Sequence, residues 1–128
     1  MDMGGYLMRQ LASFGIVVAA LEHRDGTASF TRRSDGSELP FSPGLLRSDE
    51  QLRCRACELL AASAPGALGD RLPLNGKFFF GGHSYGGPAS LLAAAQSLGS
   101  AAAGRPAGLL LLNNNCFISA TWSLSQRY

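Results

Sequence analysis

The chain has 128 residues, enough for one domain, and its composition of 46% hydrophobic and 16% charged residues is that of an ordinary globular protein rather than a disordered one. The formal net charge is only +2, and the basic residues are scattered without a dense block, so nucleic-acid binding has no support. No apolar run approaches the roughly 18 residues that a membrane-spanning helix needs, so no transmembrane segment is predicted.

The first predicted element is a helix from Tyr6 to Phe14, because its apolar residues recur at helical spacing and Gly15 follows as a C-cap. The next residues, Ile16 to Leu21, form a continuous apolar run rich in β-branched side chains. Such a run is typical of a strand that is covered on both faces. A helix leading into a buried strand is therefore predicted at this end of the chain.

The polar residues 22–25, Glu-His-Arg-Asp, mark the carboxyl end of that predicted strand. His23 and Asp25 would lie at the sheet edge where α/β proteins bind ligands, which makes them candidates for shaping a site. The interpretation that we favour is structural: residues 22–25 form a polar cluster that holds the strand end against the neighbouring loop. The sequence does not decide whether Arg24 pairs with Asp25 or with Asp49.

Residues 26–47 are predicted to form a long irregular loop, with a small hairpin at Asp35-Gly36. Loops of this length usually line a site or are mobile, and the sequence leaves both alternatives open. Ser48 is predicted to begin the next helix as its N-cap, with Gln51 as the capping-box partner, and this helix runs to about Ala64.

Three cysteines, Cys54, Cys57 and Cys116, leave no closed disulfide framework, so reduced, buried thiols are expected. Cys54 and Cys57 have redox or zinc spacing, but they lie within the helical pattern without a second ligand pair nearby, so neither a metal nor a cofactor is predicted. The N-terminus lacks the basic region of a signal peptide, which together with the odd cysteine count favours a cytoplasmic location.

The most informative segment, residues 82–86, reads Gly-His-Ser-Tyr-Gly, the Gly-x-Ser-x-Gly pattern of a nucleophile elbow. A predicted strand over 77–81 precedes it and a predicted helix over 89–98 follows, which is the context that the motif requires. Ser84 is predicted to be the nucleophile, and Tyr85 is predicted to supply the backbone N–H that donates to an oxyanion. Gly82 and Gly86 are predicted to give the steric clearance that the sharp turn needs. The His83 side chain is predicted to be directed away from the serine. The alternative is a chance match in a chain with 16 glycines.

A last strand is predicted from Ala107 to Leu112. Residues 116–128 are interpreted as a C-terminal tail, and one interpretation is that this tail is disordered. The alternation of helices and strands predicts an α/β fold with parallel strands joined by right-handed crossovers. We treat residues 1–128 as one domain.

Three separated blocks resemble the platelet-activating-factor acetylhydrolase family, a branch of the α/β-hydrolases. They are Leu11–Ser29, which contains the Glu-His-Arg-Asp sequence, Asp49–Glu58, and Gly82–Gly87. The resemblance implies part of a three-layer α/β/α domain. It also implies a serine esterase without metal or cofactor that removes a short acyl group, typically acetyl, from an ether phospholipid through an acyl-enzyme on Ser84. Peripheral contact with a membrane would follow from that substrate, whereas the oligomeric state stays open.

The resemblance is incomplete, because the α/β-hydrolase triad runs from serine to an acid to a histidine. The chain has only His23 and His83, both of which precede Ser84, and neither a histidine nor an acid follows it. Residues 113–115 are asparagines where the triad aspartate would be expected, and the strand with the second oxyanion donor would precede residue 1. We therefore expect a partial domain that is weakly active or inactive alone. Two alternatives stay open: another small carboxylesterase or lipase, and a non-catalytic remnant that binds a lipid or a partner chain.

Overall fold

A computed structural model describes residues 3–45, 48–68, 75–99 and 105–112. Three α-helices and four strands lie in these ranges, together with a short 3₁₀ turn at Pro43–Leu45. The elements in chain order are helix α1 (Met3–Ser13), strands β1 (Thr31–Arg32) and β2 (Glu38–Leu39), helix α2 (Asp49–Ala62), strand β3 (Phe79–His83), helix α3 (Gly86–Leu98) and strand β4 (Gly108–Leu112).

The central unit consists of the parallel strands β3 and β4 and the helices α2 and α3. Phe79 pairs with Gly108 and His83 with Leu112, and the predicted parallel arrangement is confirmed for this pair. Helix α3 packs on both strands and against α2. The wider three-layer α/β/α fold stays a prediction, because the described residues contain only two two-stranded sheets.

The core lies between α2, α3 and β3 and is built from small side chains around one ring. Its buried members are Ala56, Phe80, Ala93 and Ala94. The Phe78 ring meets the Phe80 ring edge-on, with the centroids 5.3 Å apart. The fully packed contact residues on the two helices are alanines, and leucines of both helices, Leu59, Leu60 and Leu92, pack against them.

The helix boundaries follow the predictions with shifts of a few residues. Helix α1 starts earlier than predicted and ends before Gly15, which adopts a positive φ of 78°. Helix α2 begins after its N-cap Ser48, whose hydroxyl accepts from the N–H of Gln51 at 3.0 Å. Helix α3 begins at Gly86 rather than at Ala89, so it follows the Ser-Tyr step directly.

The predicted buried strand over Ile16 to Leu21 is wrong. Residues 16–24 adopt no regular structure, and Ile16, Val17 and Val18 are 47%, 47% and 36% exposed. A strand forms only where a neighbour accepts and donates its ladder of hydrogen bonds, and within the described ranges the four strands pair only as β1 with β2 and β3 with β4. An apolar sequence alone did not produce a strand here.

The long loop carries the small hairpin that was predicted at Asp35-Gly36. Strands β1 and β2 are antiparallel, and the turn closes with the N–H of Arg33 donating to Ser37 O at 2.8 Å. Gly36 has a φ of 86°, the left-handed conformation that favours glycine in such a turn. The predicted tail 116–128 and the asparagines at 113–115 lie outside the described residues.

Within the described residues, none of the three helices is long and apolar enough to cross a bilayer.

Candidate active site

The turn between β3 and α3 has an unusual backbone at Ser84. Its φ is +52°, and it is the single non-glycine residue with a positive φ in the described ranges. A left-handed backbone costs a residue with a Cβ roughly 1–2 kcal/mol. The turn is held from both sides, because Ser84 N donates to Leu112 O of β4 at 3.0 Å and Gly87 N donates to Ser84 O at 3.0 Å. The neighbouring elements thus impose the strained conformation.

Gly82 makes this sharp turn sterically feasible. A Cβ built on Gly82 would overlap the carbonyl group of Gly86 and lie 2.6 Å from the backbone nitrogen of Gly87. Both obstacles are backbone, so no side-chain rotation could relieve them. The prediction that Gly82 gives clearance is therefore confirmed.

Gly86 differs from that expectation. A Cβ on Gly86 would meet nothing within 4 Å, so the prediction that Gly86 also supplies clearance is wrong. The physical reason is the direction of approach: it is the carbonyl group of Gly86 that lies against Gly82, whereas the position of its own Cβ opens to space.

Ser84 is exposed, and it lies between the carboxyl end of a parallel strand and the N-terminus of a helix. Tyr85 is the N-cap of α3, with φ −63° and ψ −21°. The amino end of a helix carries a partial positive charge, because its first N–H groups point outward along the axis. The geometry thus puts a serine hydroxyl next to a region that favours negative charge.

Neither histidine hydrogen-bonds to Ser84 in the part of the chain that the structure describes. His83 is exposed at the end of β3, opposite Leu112. His23 Nδ1 lies 2.6 Å from Glu58 Oε2, and Glu58 Oε1 accepts from the backbone N–H of Arg24 at 3.0 Å. Both oxygens of Glu58 are therefore engaged by residues 23 and 24.

The second group of polar residues is built on Asp25, and we call it the Asp25 cluster: Asp25, Thr27, Gln51 and Arg55. Arg55 Nε donates to Asp25 Oδ2 at 2.7 Å, and Thr27 donates to Asp25 Oδ1 through both its N–H and its hydroxyl, at 3.0 and 2.6 Å. Thr27 Oγ1 also accepts from Gln51 Nε2 at 2.7 Å and from an Arg55 guanidinium nitrogen at 3.0 Å. The Asp25 side chain is 3% exposed.

These contacts set the ionisation of Asp25. Burial by itself would raise the pKa of Asp25, but the hydrogen bonds from Thr27 and Arg55 and the charge of Arg55 outweigh it and hold the pKa well below its ordinary value. Asp25 is therefore ionised at neutral pH and acts as the anchor of the cluster.

The favoured structural interpretation of residues 22–25 agrees with these contacts only in part, because residues 16–24 form no strand whose end could be held. His23, Arg24 and Asp25 are held mainly by helix α2, through Glu58 and Arg55, rather than by a neighbouring loop. The partner of Asp25 is Arg55 and not Arg24. Whether His23 and Asp25 also shape a substrate site stays a prediction.

Sequence reasoning missed the link between the Asp25 cluster and the elbow. The Tyr85 hydroxyl donates to Ser48 O at 2.8 Å, and the Arg55 guanidinium carbon lies 5.7 Å from the centroid of the Tyr85 ring. One signal was available: Gln51 and Arg55 are four residues apart and so share a face of α2. Nothing in the sequence indicated that this face would meet Tyr85.

Two of the three cysteines, Cys54 and Cys57, lie in the described residues, and both are free. Cys54 is half-buried and Cys57 is exposed, so the prediction of buried thiols is wrong for Cys57. Burial and the nearby carboxylates of Glu58 and Asp25 raise the pKa of the Cys54 thiol, which disfavours the reactive thiolate. Among the described residues, no group of three or more metal-binding side chains comes together.

No family model, curated protein or solved structure matches this chain. The resemblance to the platelet-activating-factor acetylhydrolase family therefore stays a prediction.

Proposed function

We propose that this chain carries the nucleophile of a serine esterase, with Ser84 as the attacking residue. One observation carries the proposal: Ser84 adopts a left-handed backbone at the junction of a parallel strand and a helix, over a glycine that no larger residue could replace. Strained backbone on a non-glycine residue persists where the surroundings impose it, and it concentrates at functional sites. A strand, a sharp turn at serine and a helix are the parts of a nucleophile elbow.

The chemistry assigned to these residues is acyl transfer. Ser84 Oγ attacks the ester carbonyl, the carbonyl oxygen becomes an oxyanion, and the alcohol leaves with a proton, so that the acyl group is bound to Ser84. Water then attacks the acyl-enzyme, releases the carboxylic acid and restores the serine. The backbone N–H of Tyr85, at the amino end of α3, is the donor proposed for the oxyanion. We assign no general base, since neither histidine hydrogen-bonds to Ser84 in the described ranges.

The proposed substrate is a short acyl ester of a phospholipid, a choice that rests on the resemblance of three sequence blocks. A panel of p-nitrophenyl esters of increasing acyl length and an acetylated ether phospholipid separates it from other small carboxylesterases and lipases. Preference for the acetylated phospholipid supports the assignment. Equal hydrolysis of long simple esters points to a different carboxylesterase or a lipase.

The direct test of the nucleophile is covalent labelling with a fluorophosphonate probe, followed by mass spectrometry of the labelled peptide. We expect label on Ser84, loss of label in Ser84→Ala, and unchanged label in Ser13→Ala. Ser13 is a matched control because it is an exposed serine at the end of α1, with its hydroxyl donating to Gln10 O. Equal background labelling in the wild type and in Ser84→Ala would contradict the proposal.

A second candidate is a non-catalytic protein that retains the elbow and binds a lipid or another chain. The observation that favours it is that no histidine hydrogen-bonds to Ser84 within the described residues. Sedimentation with phosphatidylcholine vesicles tests it. Binding by both the wild type and Ser84→Ala, without labelling of either, would support this candidate over the esterase.

A further inference from the structure

Arg55, a member of the Asp25 cluster, contacts the ring of Tyr85, which follows Ser84 in the turn. No role in the proposed acyl transfer was assigned above to either side chain. We infer that these two residues, anchored by Asp25, are positioning residues that fix the orientation of the Ser84–Tyr85 step. This inference rests on the proposed function, because it concerns the rate at which Ser84 reacts.

Arg55 is fixed from three directions. Its Nε donates to Asp25 Oδ2 at 2.7 Å, a second guanidinium nitrogen donates to Thr27 Oγ1 at 3.0 Å, and its guanidinium carbon lies over the Tyr85 ring, 5.7 Å from the centroid. The rigid planar fork of arginine permits ion pairing and aromatic contact at the same time. The Arg55 side chain is 18% exposed, so water has little access to these contacts.

Tyr85 receives this support directly next to the nucleophile. The ring meets Arg55, and the hydroxyl donates to Ser48 O at the start of α2, a residue 37 positions earlier in the chain. The other side of the turn is bound to β4 through Ser84 N and Leu112 O. The elbow is therefore held at one end by the sheet and at the other by the side chain of Tyr85.

The consequence concerns the direction of one backbone group. A rotation of the Ser84–Tyr85 backbone that turned the Tyr85 N–H, the proposed oxyanion donor, would also pull the Tyr85 side chain away from Arg55 and Ser48, so these contacts oppose it. Electrostatic stabilisation of an oxyanion depends on donors that are already in place. A displacement of about 1 Å costs up to roughly a hundredfold in rate.

An ion pair that served stability alone would have little advantage here, since replacing a buried pair with apolar residues is often neutral or stabilising. The same pair gives geometric precision, because hydrogen bonds with fixed angles restrict Arg55 more than apolar packing would. The Asp25 cluster thus suits a role in orientation.

The experiment compares second-order rates of fluorophosphonate labelling of Ser84 in Arg55→Met, Tyr85→Phe and the control Arg53→Met. Arg53 lies on the same helix but is exposed. All rates are measured under conditions where circular dichroism shows a fully folded population. We expect Arg55→Met to lower the labelling rate about tenfold or more, Tyr85→Phe to lower it severalfold, and Arg53→Met to leave it unchanged.

Two further variants separate positioning from folding. Arg55→Lys retains the charge but not the fork, so we expect it to restore only part of the rate. The double variant Arg55→Met, Tyr85→Phe should lose less than the product of the single losses, because both changes loosen the same side chain, one at the Tyr85 ring and the other at its hydroxyl. If Arg55→Met does not fold, Tyr85→Phe, which keeps the aromatic ring, decides the question.

Wild-type labelling rates in folded Arg55→Met and Tyr85→Phe would overturn this inference and leave the proposed nucleophile intact. An absence of labelling at Ser84 in the wild type would instead remove the proposed function, and the inference with it.

Discussion

Two apolar segments of this chain have different outcomes. Phe79 and Phe80 lie in β3, where Phe80 is 4% exposed and packs against α3, whereas Val17 in the run 16–21 is 47% exposed. The difference lies in their neighbours: β3 has β4 beside it, and within the described ranges the run 16–21 has no strand beside it. An apolar run therefore becomes a strand only when another strand completes its hydrogen bonds.

The sharpest test of this contrast is truncation of one side chain in each segment. Phe80→Ala should lower the free energy of unfolding by about 3–5 kcal/mol, because it empties the centre of the core. Val17→Ala should change it by less than about 0.5 kcal/mol, since an exposed side chain has few contacts to lose. Urea denaturation of both variants measures the difference. Equal effects would mean that residues 16–21 are buried in the folded protein.

A second test adds one methyl group on each side of the turn after β3. Gly82→Ala should destabilise the protein by about 3 kcal/mol or more, because its Cβ would overlap the backbone of Gly86. Gly86→Ala is the matched control, since its Cβ enters open space, and it should be neutral or stabilising by less than about 1 kcal/mol. Thermal denaturation of the two variants is sufficient. Tolerance of Gly82→Ala would rule out the turn described here.

A third test concerns the Asp25 cluster, which begins a few residues after the exposed run 16–21. Because the pKa of Asp25 is lowered on folding, its stabilising contribution is complete above the unfolded value of about 4 and is lost as the pH falls below it. The loss should be on the order of 2 kcal/mol, followed by urea denaturation from about pH 5 to about pH 2.

Asp25→Asn is the control for this pH dependence. It should be less stable than the wild type at pH 7, since Arg55 loses its anionic partner, and its stability should fall less steeply in acid. Parallel pH curves for the two proteins would show that Asp25 does not carry the effect.

The smallest expected effect is the difference in stability between two substitutions at Ser84, which measures the backbone strain separately from the loss of the hydroxyl. Ser84→Gly should be more stable than Ser84→Ala by about 1 kcal/mol, because glycine adopts a φ of +52° without a steric penalty. Both variants should lose covalent labelling, since both lack the hydroxyl. If alanine were as stable as glycine in urea denaturation, residue 84 would not be strained in solution.

Local sequence patterns predicted the parts of the fold that depend on local interactions. The N-cap at Ser48, the turn at Asp35-Gly36 and the end of α1 at Gly15 each follow from the chemistry of one or two residues. The strand, turn and helix around residues 82–86 were predicted for the same reason, because the glycines, the serine and the flanking patterns lie next to one another in the chain.

The failures came from long-range contacts that no local pattern encodes. The run 16–21 has the composition of a strand, but whether it forms one depends on a second strand that pairs with it. The pairing of Asp25 with Arg55 joins residues 30 positions apart, and the bond from Tyr85 to Ser48 spans 37. The opposite roles of Gly82 and Gly86 depend on which backbone atoms approach each other, and the pattern treats both glycines alike.

The uncovered run after α1 has a practical consequence for anyone who handles the protein. Five consecutive apolar residues, 16–20, face solvent beside the exposed ring of Phe14. Exposed β-branched stretches of this kind readily pair with copies of themselves. We therefore expect self-association to limit the protein concentration at which solution experiments can be done. Light scattering should rise steeply with concentration for the wild type and remain low when a lysine replaces Val17.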